Sequence, residues 1–137
     1  MNMAVKMTAA YFDSKELSYT ISEDGQAIAT GFGLQNVDRV KILIVFDEGD
    51  HTVGLRALGI AKFPESKKDE MFPLVNTLNQ EFRWIKFVVD EEDLVINAED
   101  DAVIQLDSCG EEVFELCLHF AAIVDNAYPI IMKSLFA

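Results

Sequence analysis

The sequence predicts an α+β fold in which a twisted antiparallel β-sheet of five to six strands is covered by helices. Three observations lead to this reading. Residues 39–47, RVKILIVFD, alternate in the manner of a strand. Two acidic turns, at 47–50 and 90–93, each separate a pair of β-rich runs. Two longer stretches, 68–83 and 108–126, carry apolar residues at helical spacing.

Residues 3–16 have helical composition, with Met3, Met7 and Ala10 forming a thin apolar stripe. Strands at 18–22 and 26–33 follow, separated by Asp24-Gly25, a pair suited to a tight turn. In the next strand Val40, Ile42, Ile44 and Phe46 share one face, while Leu43 and Val45 make the other face apolar at its centre, as expected of a central strand. Its partner, 52–60, turns Val53, Leu55 and Ala57 inward. Over 68–83 the residues Met71, Val75, Leu78, Phe82 and Ile85 define one helical face, so Pro73 must lie near the first turn or kink the helix. Residues 85–89 and 94–98 form a second hairpin with solvated acidic ends, and 102–106 extend the sheet. Ser108 and Glu111 have capping-box spacing at the start of the last helix, which runs to about 126 and restarts at Tyr128-Pro129. That helix has one polar stripe, Glu112, Glu115, His119 and Asn126, and is apolar elsewhere, so it must be buried both against the sheet and against another helix or subunit.

With 137 residues, half of them hydrophobic, the chain reads as one domain spanning 1–137, large enough to bury about two-thirds of its unfolded surface. The 24 Asp and Glu outnumber 11 Lys and Arg, for a formal charge of −13. That charge repels phosphate backbones and anionic headgroups, so neither nucleic acid nor a membrane is expected as a partner, whereas basic or amphipathic polypeptides are favoured. Glu115, His119 and Asp125 interrupt the most apolar stretch, 113–132, and the N-terminus lacks the apolar run of a secretory signal. A cytoplasmic location is expected. Cys109 and Cys117 are too far apart along one helix for a disulfide and read as reduced thiols.

No motif for catalysis, a metal or a cofactor emerges. Gly31-Phe32-Gly33 lacks the third glycine of a dinucleotide fingerprint. In 90–101 Val95 stands where a calcium loop needs glycine. His51 and His119 have no partners at metal-ligand spacing. Acids flank Cys109 at 107, 111, 112 and 115 and oppose formation of a thiolate. The chain is therefore expected not to be an enzyme and to carry no cofactor.

The segments LVNTLNQEF, RWIKFVVDEEDLVI and EEVFELCLHFAAIVDNAYPIIMKSL resemble, in that order and over 68–135, the YbjN family of bacterial proteins labelled sensory transduction regulators. The L-x-N-x-L-N helix, the aromatic-rich strand, the acidic turn and the late D-x-x-Y-P carry the resemblance; residues 1–60 fit by element order alone. It implies an α-β-β-β-α-β-β-α order similar to class I type III secretion chaperones, in which two subunits pair, and it supplies no catalytic residues. Asn76, Asn79, Arg83, Trp84, Tyr128 and Pro129 stand out as its structural signature or as an interface. Asn76 and Asn79 flank the apolar seam of their helix. Their amides either satisfy nearby backbone groups or lie between subunits, where a polar residue fixes register. The expected function is a chaperone-like homodimer that binds a protein or peptide partner, or regulates one. The alternative is a small-molecule sensor with a pocket between sheet and helix.

Overall fold

In the computed structural model, which describes residues 2–137, helix α1 (Met3–Ser14) leads into four strands, β1 (Tyr19–Ile21), β2 (Ala27–Phe32), β3 (Val40–Phe46) and β4 (Thr52–Lys62). Helix α2 (Lys68–Glu81), strands β5 (Lys86–Asp90) and β6 (Val95–Val103) and helix α3 (Cys109–Leu135) complete the chain. The six strands form one antiparallel sheet in the order β1-β2-β3-β4-β6-β5. The α+β class and the sheet agree with expectation. Four strands precede α2, one more than the order implied by the resemblance, because 19–21 and 27–32 form a hairpin of their own.

The alternation in β3 and β4 decides which face is covered. Ile44 and Phe46 pair in register with Leu55 and Val53, and together with Ile42, Ile28, Ala57 and Ala98 they are buried beneath the helices. Full burial of Phe12, Phe87 and Phe120 in this core stabilises the fold by about 1.5–3 kcal/mol each. The opposite face carries Ala29, Leu43, Val45, Gly54, Arg56 and Asp101, and among the described residues no helix covers it, leaving Val45 and Asp101 exposed. Register breaks between Ala57 and Ala61, where Gly59 adopts φ +65 and Asn97 accepts its N–H. Four residues of β4 here oppose two of β6, from Ala57↔Ala98 to Ala61↔Ile96, so the two extra residues leave the alternation in phase and Ala61 and Phe63 still face the core.

Helix α1 buries Ala4, Val5, Thr8, Ala9 and Phe12 rather than the expected Met3, Met7, Ala10 stripe; Met3 and Ala10 are exposed. On the flank of this face α1 approaches α3 closely: a Cβ on Gly110 would lie 2.6 Å from Tyr11 Cβ and 3.1 Å from Met7 O. Helix α3 is long and apolar enough by composition to cross a membrane. Val113, Cys117, Phe120, Val124 and Ile131 are instead buried in the core, and α1 and the sheet occupy its two apolar sides. The second covering element is thus a helix of the same chain.

Two expectations for α3 are corrected. Ser108 makes no side-chain cap; a 3-10 turn at Leu106–Ser108 starts the helix, and Glu112 Oε1 instead accepts the Gln105 N–H at 2.8 Å. The helix also does not restart at Tyr128-Pro129 but runs through Pro129 to Leu135. Pro129 has no N–H for the carbonyl of Asp125. Asn36 Nδ2 donates to that carbonyl at 3.1 Å, which satisfies the freed group from outside the helix. The second hairpin is corrected likewise: 102–103 continue β6 rather than forming a separate extension, since Ala102 and Val103 pair with Val53 and Thr52 of β4.

Candidate protein-binding surface

The helical seam of α2 buries Met71, Val75 and Leu78, and Pro73 sits in the helix after a preceding 3-10 turn at Glu65–Lys67. Phe82 and Ile85 follow the last helical residue; Ile85 is buried where the chain turns into β5. On the flanking stripe Phe72 and Asn76 are exposed. Asn79 is not idle: its Oδ1 accepts the Phe87 N–H at 2.7 Å, and its Nδ2 donates to the Phe87 carbonyl at 3.1 Å. Because β5 is an edge strand, these two groups of Phe87 point away from β6, and the carboxamide stands in for a neighbouring peptide.

Arg83 and Trp84 lie between α2 and β5. The Ile85 N–H donates to the Arg83 carbonyl at 2.9 Å, closing a three-residue turn around Trp84, whose φ is +76. This is the rare, strained form of γ-turn, and a tryptophan is costly there because its Cβ crowds the backbone. The indole is 67% exposed, and the Arg83 guanidinium lies 5.0 Å from its ring centroid. Backbone strain thus presents a large, pre-stacked aromatic side chain to solvent.

Tyr128 and Pro129 lie apart from this cluster, on α3. Their neighbour Asp125 holds the β2–β3 loop: its Oδ1 accepts the N–H of Asn36 at 2.7 Å and of Val37 at 3.2 Å. The D-x-x-Y-P signature is therefore a loop anchor, with carboxylate and Pro-freed carbonyl acting together. Of the six signature residues, Asn79 lies in the last turns of α2 and Arg83 and Trp84 in the loop that follows it, Asn76 is exposed on the same helix, and Tyr128 and Pro129 lie on α3.

Asp100 escaped the sequence reading, which assigned its segment to a solvated hairpin end. It is buried on the covered face opposite Leu55. Burial, reinforced by the neighbouring Asp101 carboxylate, pushes its carboxyl up to about 6. The signal was the alternation Ile96, Ala98, Asp100, Ala102, which aims the acid inward. Both cysteines are free and buried, and burial pushes the Cys117 thiol up to about 12. Cys109 Sγ approaches the Ala4 carbonyl and the Thr8 hydroxyl at 3.7 and 3.8 Å. Among the described residues no three His, Cys, Asp or Glu side chains converge as a metal site.

Comparison with known proteins bears on these features. The family model of YbjN, described as "Putative bacterial sensory transduction regulator", matches residues 5–125, extending the likeness into the N-terminal half. A search of curated proteins finds no match. Among solved structures, "Crystal structure of YbjN, a putative transcription regulator from E. coli" superposes with a TM-score of 0.62 at 14% identity, covering 90% of this chain and 90% of that one. Identity this low establishes a shared fold and leaves activity to the site itself.

Proposed function

The chain belongs to the YbjN family, and on that premise we propose that it is a non-enzymatic protein-binding or regulatory module whose docking residue is Trp84. The observation that carries this reading is the exposed indole held at φ +76 and stacked with Arg83. Trp and Arg supply an outsized share of binding energy at interfaces, and an anchor ordered before binding loses little entropy on docking. A formal charge of −13 favours a basic or amphipathic polypeptide as the partner. Chaperone-like pairing into a homodimer, on the pattern of type III secretion chaperones, is part of the same proposal. The uncovered sheet face supports it, with exposed Val45 and Val103 beside the ion-paired Arg56 and Asp101.

Co-purification followed by mass spectrometry tests the reading with wild type and Trp84→Gly side by side. A recurrent polypeptide retained by wild type and lost from the variant supports it; identical retention by both removes Trp84 from the role. Light scattering on wild type tests the pairing, and a monomer at micromolar concentration overturns it.

A second reading, a small-molecule sensor, is favoured by a groove of about 550 Å³ between the loop after β2 and α3. Phe32, Leu34, Leu118 and Ala122 supply apolar lining, and Asp125 a polar edge. A co-purifying metabolite displaced by Ala122→Trp would move the assignment to this groove.

A further inference from the structure

On the uncovered face of the sheet two arginines rest on glycines. A Cβ on Gly54 would fall 3.3 Å from Arg56 Nη1 and 2.8 Å from Asp101 Oδ1, so the absence of a side chain there makes room for an ion pair, Arg56 Nη1 to Asp101 Oδ1 at 2.8 Å. A Cβ on Gly31 would fall 2.8 Å from both Nε and Nη2 of Arg39. The second guanidinium is laid flat on the strand in the same way, yet among the described residues it has no carboxylate at ion-pair distance. Lys41 stands directly opposite Gly31 across the β2–β3 ladder and is likewise free of an ion pair among the described residues.

Arg39 and Lys41 are thus neighbouring cations without an ion pair among the described residues, on a chain of net charge −13. They share a groove of about 490 Å³ whose floor is Ala29 and whose rim carries the hydroxyls of Ser18 and Thr20. Residues two apart on one face of a strand lie about 6–7 Å apart, within reach of a single ligand group for side chains of this length.

We propose that Arg39 and Lys41 form a binding site for a small phosphate monoester. The guanidinium presents a flat fork of donors suited to two phosphate oxygens, the ammonium adds a compact second charge, and the rim hydroxyls can donate to the remaining oxygen. Charge selects the ligand class: a monoester carries about −1.5 to −2 at neutral pH and matches two cations, whereas a single carboxylate leaves one of them uncompensated. Size is limited by the surroundings, because a polyanion longer than the groove runs onto a surface of net charge −13. This site is separate from Trp84 and from the groove against α3.

The test is a calorimetric titration of the full chain with phenyl phosphate in phosphate-free buffer at low ionic strength. Saturable binding to one site is expected, with affinity rising as pH passes through about 6, where the ligand gains its second charge. Arg39→Ala combined with Lys41→Gln should weaken it by about tenfold or more, as loss of charged hydrogen bonds predicts. Gly31→Ala retains every charge but displaces the guanidinium and should weaken binding as well. Thermal midpoints of all variants separate loss of the site from loss of the fold. Binding that persists undiminished in the folded double variant, binding of succinate as tight as that of phenyl phosphate, or no saturation by wild type at millimolar ligand would each overturn the assignment.

Discussion

Asn79 closes the open edge of the sheet by pairing its carboxamide with both main-chain groups of Phe87. A side chain that supplies one donor and one acceptor at strand spacing does locally what another strand would do along its length. Such protection matters because unpaired edge groups recruit other chains. Asn79→Leu leaves both groups of Phe87 without their partner. It should lower unfolding free energy by about 1–3 kcal/mol and promote self-association. Urea denaturation and light scattering check both, and Asn79→Asp, which keeps only the acceptor, should fall between.

Asp125 should prove to be the residue that orders the β2–β3 loop. Asp125→Ala removes the acceptor shared by the Asn36 and Val37 amides, and hydrogen exchange at those two positions should accelerate while the α3 core stays protected. Pro129→Ala should loosen the same loop by a different route, since the restored N–H competes with Asn36 for the Asp125 carbonyl. Unchanged exchange in both variants would contradict the anchoring role.

Asp100 makes stability depend on pH. Its folded-state pKa of about 6 lies above the ordinary 3.8, so the folded protein holds the proton more tightly than the unfolded chain. This contribution is fully favourable below the unfolded value and is lost as pH rises through about 6. Asp100→Asn, which stays neutral, should raise the thermal midpoint more at pH 8 than at pH 4. An equal shift at both pH values would show that the charge is not what burial penalises.

Gly110→Ala should destabilise the fold although alanine is the better helix former. The added methyl meets Tyr11 Cβ at 2.6 Å and a main-chain oxygen at 3.1 Å, neither of which is the far end of a flexible side chain. Overpacking of this kind costs about 1–3 kcal/mol, against a propensity gain of roughly 1 kcal/mol. Chemical denaturation should show the net loss.

Trp84→Gly should do the reverse. Glycine adopts φ near +76 without steric cost, so the variant should gain about 1 kcal/mol of stability while losing the exposed indole. A higher thermal midpoint together with weaker partner retention is the signature of strain kept for binding.

The class of the fold, the inward faces of β3 and β4 and the seam of α2 are legible in the order of residues, because side-chain periodicity is local and records which face each element must bury. That order also carried the family likeness through LVNTLN and D-x-x-Y-P. What those signatures do depends on contacts between distant elements. Asn79 meets Phe87 across a turn, and the Asp125 carbonyl, which Pro129 leaves free, finds Asn36 across 89 residues of chain. The same holds for the close approach of α1 to Gly110, and for Arg39, whose side chain rests on Gly31 of β2. Periodicity says which way a side chain points; its partner is set by which elements pack together, and that information is non-local.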